Sequence, residues 1–311
     1  MNPAFSVILL TTLIGAGQGL FLALVAIERG LIPGGPDAGA AFFVRGDAIA
    51  LALLMAGLIA SFFHLGHPER AWRAVAMWRT SWLSREVIAL PAFMAVVALH
   101  GVCHYTGGEH AAILGIAGAA LCIALFYITA MNYVCLKFLQ EWATPLTIVN
   151  YTLLGTASGF TLATALAAAQ QPSLAATLAR WALALTLLAA AARIATLIRN
   201  AKLRPKSTLQ SAIGIAHPRI VQKSQGFMGS SFNTREFFHG KTQAWVRGVK
   251  WAFIALAFVM PALLLADGIA ARSVAVAYFT FVIQYLGLLA ERWFFFAQAR
   301  HPQNLYYQAA S

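Results

Sequence analysis

The sequence predicts an all-α polytopic membrane protein, with eight transmembrane helices in one bundle. Of its 311 residues, 60% are hydrophobic and only 10% are charged, whereas soluble domains carry roughly 25% charged residues. Eight stretches each contain about 20 mostly apolar residues, the length at which a helix crosses a bilayer. We therefore expect residues 1–311 to form a single integral membrane domain, with one sizeable extramembrane basic loop over residues 200–244.

The predicted helices follow the apolar stretches in order. They are expected at about Phe5–Ile27, Phe43–His64, Glu86–His104, Ala111–Leu139, Leu146–Ala169, Leu174–Ile198, Val246–Ala266 and Ser273–Ala297. The first contains the segment GAGQG, residues 15–19, whose small side chains favour close contact with another helix. The fourth stretch is long enough to tilt or to extend into water.

The charge distribution predicts the orientation of the bundle. An even number of helices puts both termini on one side, here called side A. Most lysines and arginines lie in the loops and tail of that side, so the positive-inside rule predicts that both termini and the long loop are cytoplasmic. A bacterial inner membrane is the expected location. Nucleic acid is not an expected partner despite the net charge of +12, because the basic residues flank apolar helices and face membrane lipids or protein partners.

The positions of the cysteines and histidines limit the metal sites that can be expected. Cys103, Cys122 and Cys135 lie in apolar stretches without C-x-x-C spacing, so we expect no metal site and no iron–sulfur cluster in this chain. His100 and His104 share one face of the third helix and cannot ligate a haem iron from opposite sides. No haem is expected, and these two histidines are interpreted as hydrogen-bonded or interfacial.

The segment Ser61–Glu86 (SFFHLGHPERAWRAVAMWRTSWLSRE) is the richest in candidate chemistry. It lies between two apolar runs, so its two ends, with His64 and Glu86, are expected at the same edge of the bilayer. A titratable base and a carboxylic acid at an apolar edge could handle the protons of a quinone head group. The alternative is an ordinary basic interfacial loop with tryptophan anchors.

Other ionisable residues also gather towards side A. Glu291 and Arg292 lie near the end of the last helix. Intramembrane ionisable residues are functional candidates, but these two could equally form an ion pair between helices, and both interpretations stay open. Because transporters more often place polar groups at the bilayer midplane, this clustering at one edge disfavours a transporter.

The long loop carries a candidate docking surface in the segment NTREFF, with Arg235, Phe237 and Phe238. Arginine and aromatic side chains are typical anchors of protein interfaces. The alternative is a basic loop that lies on anionic lipid head groups.

A resemblance to a known family joins these observations. His64-Leu65-Gly66, Pro68, Arg70-Ala71, Ser81, Leu83-Ser84 and Glu86 resemble the signature of the DMSO reductase membrane-anchor family. The eight-helix pattern and an acidic residue in the last helix, Glu291, agree with it. The resemblance implies a haem-free anchor with a quinone site that includes His64, Glu86 and nearby Arg70, and to which Glu291 is assigned. It also implies two partners, a molybdopterin guanine dinucleotide catalytic subunit and a four-cluster iron–sulfur subunit.

The long basic loop departs from the DMSO reductase anchors themselves. It looks more like the loop of the anchors of sulfite dehydrogenase (quinone) complexes, whose soluble subunits face the cytoplasm. We therefore expect a non-molybdenum subunit that passes electrons from sulfite oxidation to ubiquinone or menaquinone. The alternatives are an anchor that oxidises quinol for a DMSO- or tetrathionate-type reductase, and, in another class, a membrane transporter.

Overall fold

Eight helices in the described part of the chain are long and apolar enough to cross a membrane, which confirms the predicted all-α membrane fold. The structure, a computed structural model, describes residues 1–33, 38–224 and 235–306. The spanning helices are α1 (Phe5–Glu28), α2 (Ala40–Phe62), α3 (Trp82–Thr106), α4 (Ala111–Val134), α5 (Pro145–Gln170), α6 (Pro172–Ala201), α7 (Gln243–Ala266) and α8 (Val274–Ala297). A π-helical segment, Ala255–Val259, interrupts the α-helical pattern of α7.

The predicted extension of the fourth helix to Leu139 is wrong. Helix α4 ends at Val134, and residues 135–144 form turns that fold back into the protein. Leu139 and Trp142 are buried there, and the Trp142 indole donates a hydrogen bond to the Phe295 carbonyl at 3.0 Å. Because Leu136, Phe138 and Leu139 continue the apolar run of α4 past Val134, hydropathy alone could not separate a buried turn from more helix.

Helices α1 and α5 form the centre of the bundle. In their most apolar windows 67% and 72% of the residues are buried, against 28–39% in the other six helices. The two helices touch backbone to backbone, because a Cβ atom on Gly19 would collide with Gly155, and one on Gly159 would collide with the backbone of Gly19 and Leu20. The predicted role of the GAGQG segment in close helix packing is confirmed.

A basic, aromatic segment connects α2 and α3 at one membrane edge. It forms a 3-10 helix over Pro68–Met77, in which no residue is buried. Trp72 and Trp78 are exposed, and the guanidinium groups of Arg73 and Arg79 lie over their rings at 5.5 and 5.3 Å. Tryptophan and arginine together suit the boundary between lipid and water.

The N-terminus, the described parts of the long loop and the tail up to Tyr306 meet on one side of the bundle, as predicted for side A. The Asn2 backbone N–H donates to the Glu236 carbonyl at 2.8 Å, the Asn304 side chain donates to the Phe237 carbonyl at 3.0 Å, and the Tyr306 hydroxyl donates to the Ala212 carbonyl at 2.9 Å. The centre of the predicted loop, near Gly226, lies outside the described residues. The cytoplasmic assignment of side A stays a prediction.

Candidate functional site

Glu86 is a buried carboxyl group held by two uncharged donors. Ser81 caps the start of α3 through a hydrogen bond from the Ser84 N–H, which places Glu86 in the second turn of the helix, near side A. The Glu86 side chain is only 8% exposed. The Thr129 hydroxyl donates to one carboxyl oxygen at 2.6 Å, and the Asn132 amide donates to the other. Within the described part of the chain, no lysine, arginine or histidine forms an ion pair with this carboxyl.

A small cavity with a mixed polar and apolar lining lies beside Glu86, between helices α1, α3, α4, α5 and α8. Its volume is about 30 Å³, and its polar lining includes Thr12, Gln18, Glu86, Tyr151 and Arg292. This volume and lining suit about two water molecules.

His64 and Arg70 lie at the same membrane edge as Glu86, outside the cavity. His64 follows the end of α2 and is exposed, although partial burial lowers its pKa below the ordinary value. Among the described residues, no hydrogen bond or ion pair connects His64 to Glu86. Arg70 is exposed, and its Nε atom lies 3.6 Å from Glu69. The structure therefore places His64 and Glu86 at the same edge, as predicted, without direct contact between them.

Glu291 lies between two arginines. Its carboxyl oxygens are 2.6 Å from the Arg193 Nε atom of α6 and 2.7 Å from the Arg292 Nε atom of α8, and all three side chains are buried. The positive charge of Arg292 is also stabilised by an aromatic ring, because its guanidinium group lies 4.1 Å from the centre of the Tyr151 ring. Glu291 thus forms an ion pair between helices, as predicted, but its partner on the other helix is Arg193, whereas Arg292 belongs to the same helix. A contact between Glu291 and a quinone stays a prediction, whereas its neighbour Arg292 lines the cavity.

One candidate docking residue, Phe237, packs against the C-terminal tail of the same chain. The ring of Phe237 stacks on His301 with a centroid distance of 3.8 Å, and both Phe237 and Phe238 are half-buried. Arg235 is exposed at the side A surface. This arrangement presents the described end of the loop as an ordered surface, and its contact with a partner stays a prediction.

The histidines of α3 lie at the opposite membrane edge, where His100 is hydrogen-bonded, as predicted, and His104 lies within ion-pair distance of Glu28. His100 Nδ1 lies 2.7 Å from an oxygen of Asp47, and His104 Nε2 lies 3.2 Å from an oxygen of Glu28.

Sequence reasoning missed Thr129 and Tyr151, two residues that shape the site around Glu86 and Glu291. It placed Arg193 near side A without pairing it with Glu291. A usable sequence pattern existed for one of the two missed residues, because Thr129 and Asn132 are three residues apart and so share a face of α4.

Comparison with known proteins places the chain among membrane anchors. Residues 1–296 match the family model described as the DMSO reductase anchor subunit (DmsC). The chain is also 50% identical to a sulfite dehydrogenase subunit of Allochromatium vinosum, over the full length of both chains. The resemblance found in Ser61–Glu86 thus extends through all eight helices.

Proposed function

We propose, from the premise that the chain belongs to the DMSO reductase anchor subunit family, that it is the quinone-reactive anchor of a sulfite-oxidising complex. The name of its relative from Allochromatium vinosum supports sulfite as the source of electrons. The proposed partners are a molybdopterin guanine dinucleotide catalytic subunit and a four-cluster iron–sulfur subunit, docked on a cytoplasmic side A. The electron acceptor is ubiquinone or menaquinone, without haem in this chain.

The observation that carries the proposal is the environment of Glu86. It is a buried carboxyl group near the edge of the bilayer, with hydrogen bonds from Thr129 and Asn132 and a cavity behind it that has room for water. Uncharged donors orient the carboxyl without committing it to an ion pair, so the group can take up and release a proton. This is the behaviour expected of a general acid at the edge of a membrane.

The residues around Glu86 have separate roles in the proposal. A bound quinone supplies a two-electron acceptor whose carbonyl oxygens take up protons. His64, from the aqueous edge, donates a hydrogen bond that positions one carbonyl, and Arg70 contributes positive charge nearby. Glu86 delivers a proton and is reprotonated through the water-sized cavity, where Arg292 and Tyr151 order the water.

Paired assays on the same membranes test this proposal. Glu86→Gln removes the titratable proton and keeps the shape of the side chain, so we expect quinone-linked sulfite oxidation to fall about 100-fold or more. Dye-linked oxidation should stay unchanged, because the dye takes electrons from the soluble subunits. His64→Ala should show the same selective loss, and Glu109→Gln, an exposed glutamate between α3 and α4, is the matched control.

The outcomes of these assays separate the roles. Equal loss of both activities in Glu86→Gln would mean that the residue holds the complex together. Normal rates in both variants would support the alternative interpretation, in which Ser61–Glu86 is an ordinary interfacial loop. If the purified complex oxidises quinol with an artificial acceptor but never oxidises sulfite, the chain serves a reductase instead.

Partner docking has its own test. Changing Arg235, Phe237 and Phe238 together to alanine should release the soluble subunits from detergent-solubilised complexes. His301→Ala is the control, because it removes the stacking partner of Phe237 and leaves the three docking residues in place. If His301→Ala alone releases the soluble subunits, Phe237 acts by ordering the C-terminal tail of this chain rather than by contacting a partner.

A further inference from the structure

Four ionisable side chains converge at the membrane edge opposite to Glu86. Glu28 is the last residue of α1, Asp47 lies early in α2, and His100 and His104 lie one turn apart near the end of α3. Glu86 and His100 are fourteen residues apart on the same helix, about 21 Å at 1.5 Å per residue. Phe21 and Phe93 fill part of the space between, and Phe21 contacts the His100 ring with a centroid distance of 5.3 Å.

Three of these groups lie close enough together to hold a metal ion. The ligand atoms of Glu28, His100 and His104 all lie within 4.8 Å of one another. One Glu28 oxygen is 3.4 Å from His100 Nε2, and the other is 3.2 Å from His104 Nε2. Ligands bound to zinc at about 2.0–2.1 Å in a tetrahedron are about 3.4 Å apart. Histidines four residues apart on one helix face are also a recurrent zinc-binding arrangement.

The surroundings orient these ligands. Asp47 is buried and lies 2.7 Å from His100 Nδ1, so it fixes the ring and turns Nε2 towards Glu28. A carboxylate behind a histidine in this way is the usual outer support of a metal ligand. Phe43 stacks on His104 with a centroid distance of 4.5 Å. Gly115 of α4 leaves the space open, because a Cβ atom there would lie 2.8 Å from Glu28 and 3.3 Å from His100 Nε2.

We propose that Glu28, His100 and His104 bind a divalent transition-metal ion, best matched by Zn²⁺, with Asp47 as the positioning residue. Two carboxylates and two imidazoles in a largely buried site need positive charge, which a dication supplies while it uses both Nε2 atoms. Glu28 and His104 remain 12% and 13% exposed, so an ion and a water ligand can enter from that edge. Imidazole and carboxylate ligands favour Zn²⁺ over Mg²⁺ or Ca²⁺, which prefer oxygen ligands alone. The ion would tie the end of α1 to α3.

Zinc uptake by the intact complex tests the proposal. The purified complex is washed with a chelator, titrated with Zn²⁺ and analysed for zinc content and for zinc X-ray absorption. We expect one added Zn²⁺ per anchor chain with two imidazole ligands. Asp47→Asn should weaken Zn²⁺ binding about 10- to 100-fold, and His104→Ala should weaken it further. His110→Ala is the matched control, because His110 is exposed at the start of α4 on the same membrane face.

Three results would contradict the proposed metal site. A washed wild-type complex that takes up no Zn²⁺ would show that protons alone balance the cluster. Equal zinc content in wild type and in both Glu28→Gln and His104→Ala would place any bound zinc on another subunit. Equal competition by Ca²⁺ would contradict the assignment to a transition metal. Because zinc content is read directly, these results do not depend on whether the chain reacts with quinone.

Discussion

Glu86 and Glu291 are two buried glutamates near the same membrane edge with opposite surroundings. Glu86 receives hydrogen bonds from a hydroxyl and an amide, whereas Glu291 contacts two guanidinium groups. Glu86 lines the cavity, and the residue beside Glu291 that lines it is Arg292. The difference shows that burial alone does not assign a role. A carboxylate between two arginines serves as a counter-charge within the bundle, whereas a carboxyl held by uncharged donors suits the proton transfer proposed for Glu86.

The largest effect is expected when Glu291 loses its charge. Glu291→Gln leaves Arg193 and Arg292 buried without a counter-charge, and breaking a buried ion pair in this way costs about 3–5 kcal/mol. We expect much less protein in the membrane and an earlier unfolding transition in detergent. Glu109→Gln, which is exposed, should change neither.

The Glu291→Gln variant can also contradict the different roles given to Glu86 and Glu291. If Glu291→Gln is as stable as wild type and loses only quinone-linked turnover, Glu291 serves the quinone site, as its place in the last helix predicted. The role given to Glu86 would then have to be shared between the two carboxyl groups.

The next effect concerns the donors to Glu86. Thr129→Val together with Asn132→Leu removes both hydrogen bonds to the carboxyl, each worth about 1.5–3 kcal/mol when the acceptor is charged. The carboxyl can then turn away from the edge, so we expect quinone-linked turnover to fall about 10- to 100-fold at unchanged dye-linked turnover. Thr152→Val is the control, because its hydroxyl bonds only to the Ile148 carbonyl within α5. Unchanged quinone-linked turnover would show that these donors are not needed to orient Glu86.

A smaller effect should separate the two arginines. Arg193→Met and Arg292→Met each leave one arginine paired with Glu291, so both variants should still assemble. Only Arg292 lines the cavity. We expect Arg292→Met alone to slow quinone-linked turnover, about tenfold, or about 1.4 kcal/mol. Equal slowing in both variants would mean that the ion cluster acts through the packing of α8 rather than through the cavity.

The sequence predicted the eight helices well, because a run of apolar residues long enough to span a bilayer has few other uses. It also identified Glu86 and His64 and their common edge. It could not pair Glu86 with Thr129 or His100 with Asp47, which lie 43 and 53 residues apart. Hydropathy gives the length of each helix and does not say which helices are neighbours or how each is rotated. The buried polar contacts that distinguish Glu86 from Glu291 depend on both.

The smallest effect is a pH dependence that His64 adds to the stability of the edge. Partial burial lowers the pKa of His64 below its ordinary value of 6.5. In the pH window just below 6.5 the unfolded chain therefore binds more protons at this position than the folded chain, and the stability contributed by His64 falls as the pH falls through that window. Because the side chain is exposed, solvent screening keeps the effect to a fraction of a kcal/mol.

The His64→Gln protein should lose less stability than the wild-type protein when the pH falls from about 7.5 to about 5.5, a range that brackets the pKa of an ordinary histidine. The measurement is the shift of the unfolding midpoint between these two pH values. His67→Gln, in the same loop but paired with Glu69 at 3.0 Å, should keep the wild-type contribution of His64. A wild-type protein whose stability at this edge rises on acidification would mean that His64 gains a carboxylate partner when protonated. If that rise disappears in Glu86→Gln but persists in Glu69→Gln, the partner is Glu86 and the two residues form one proton-handling pair.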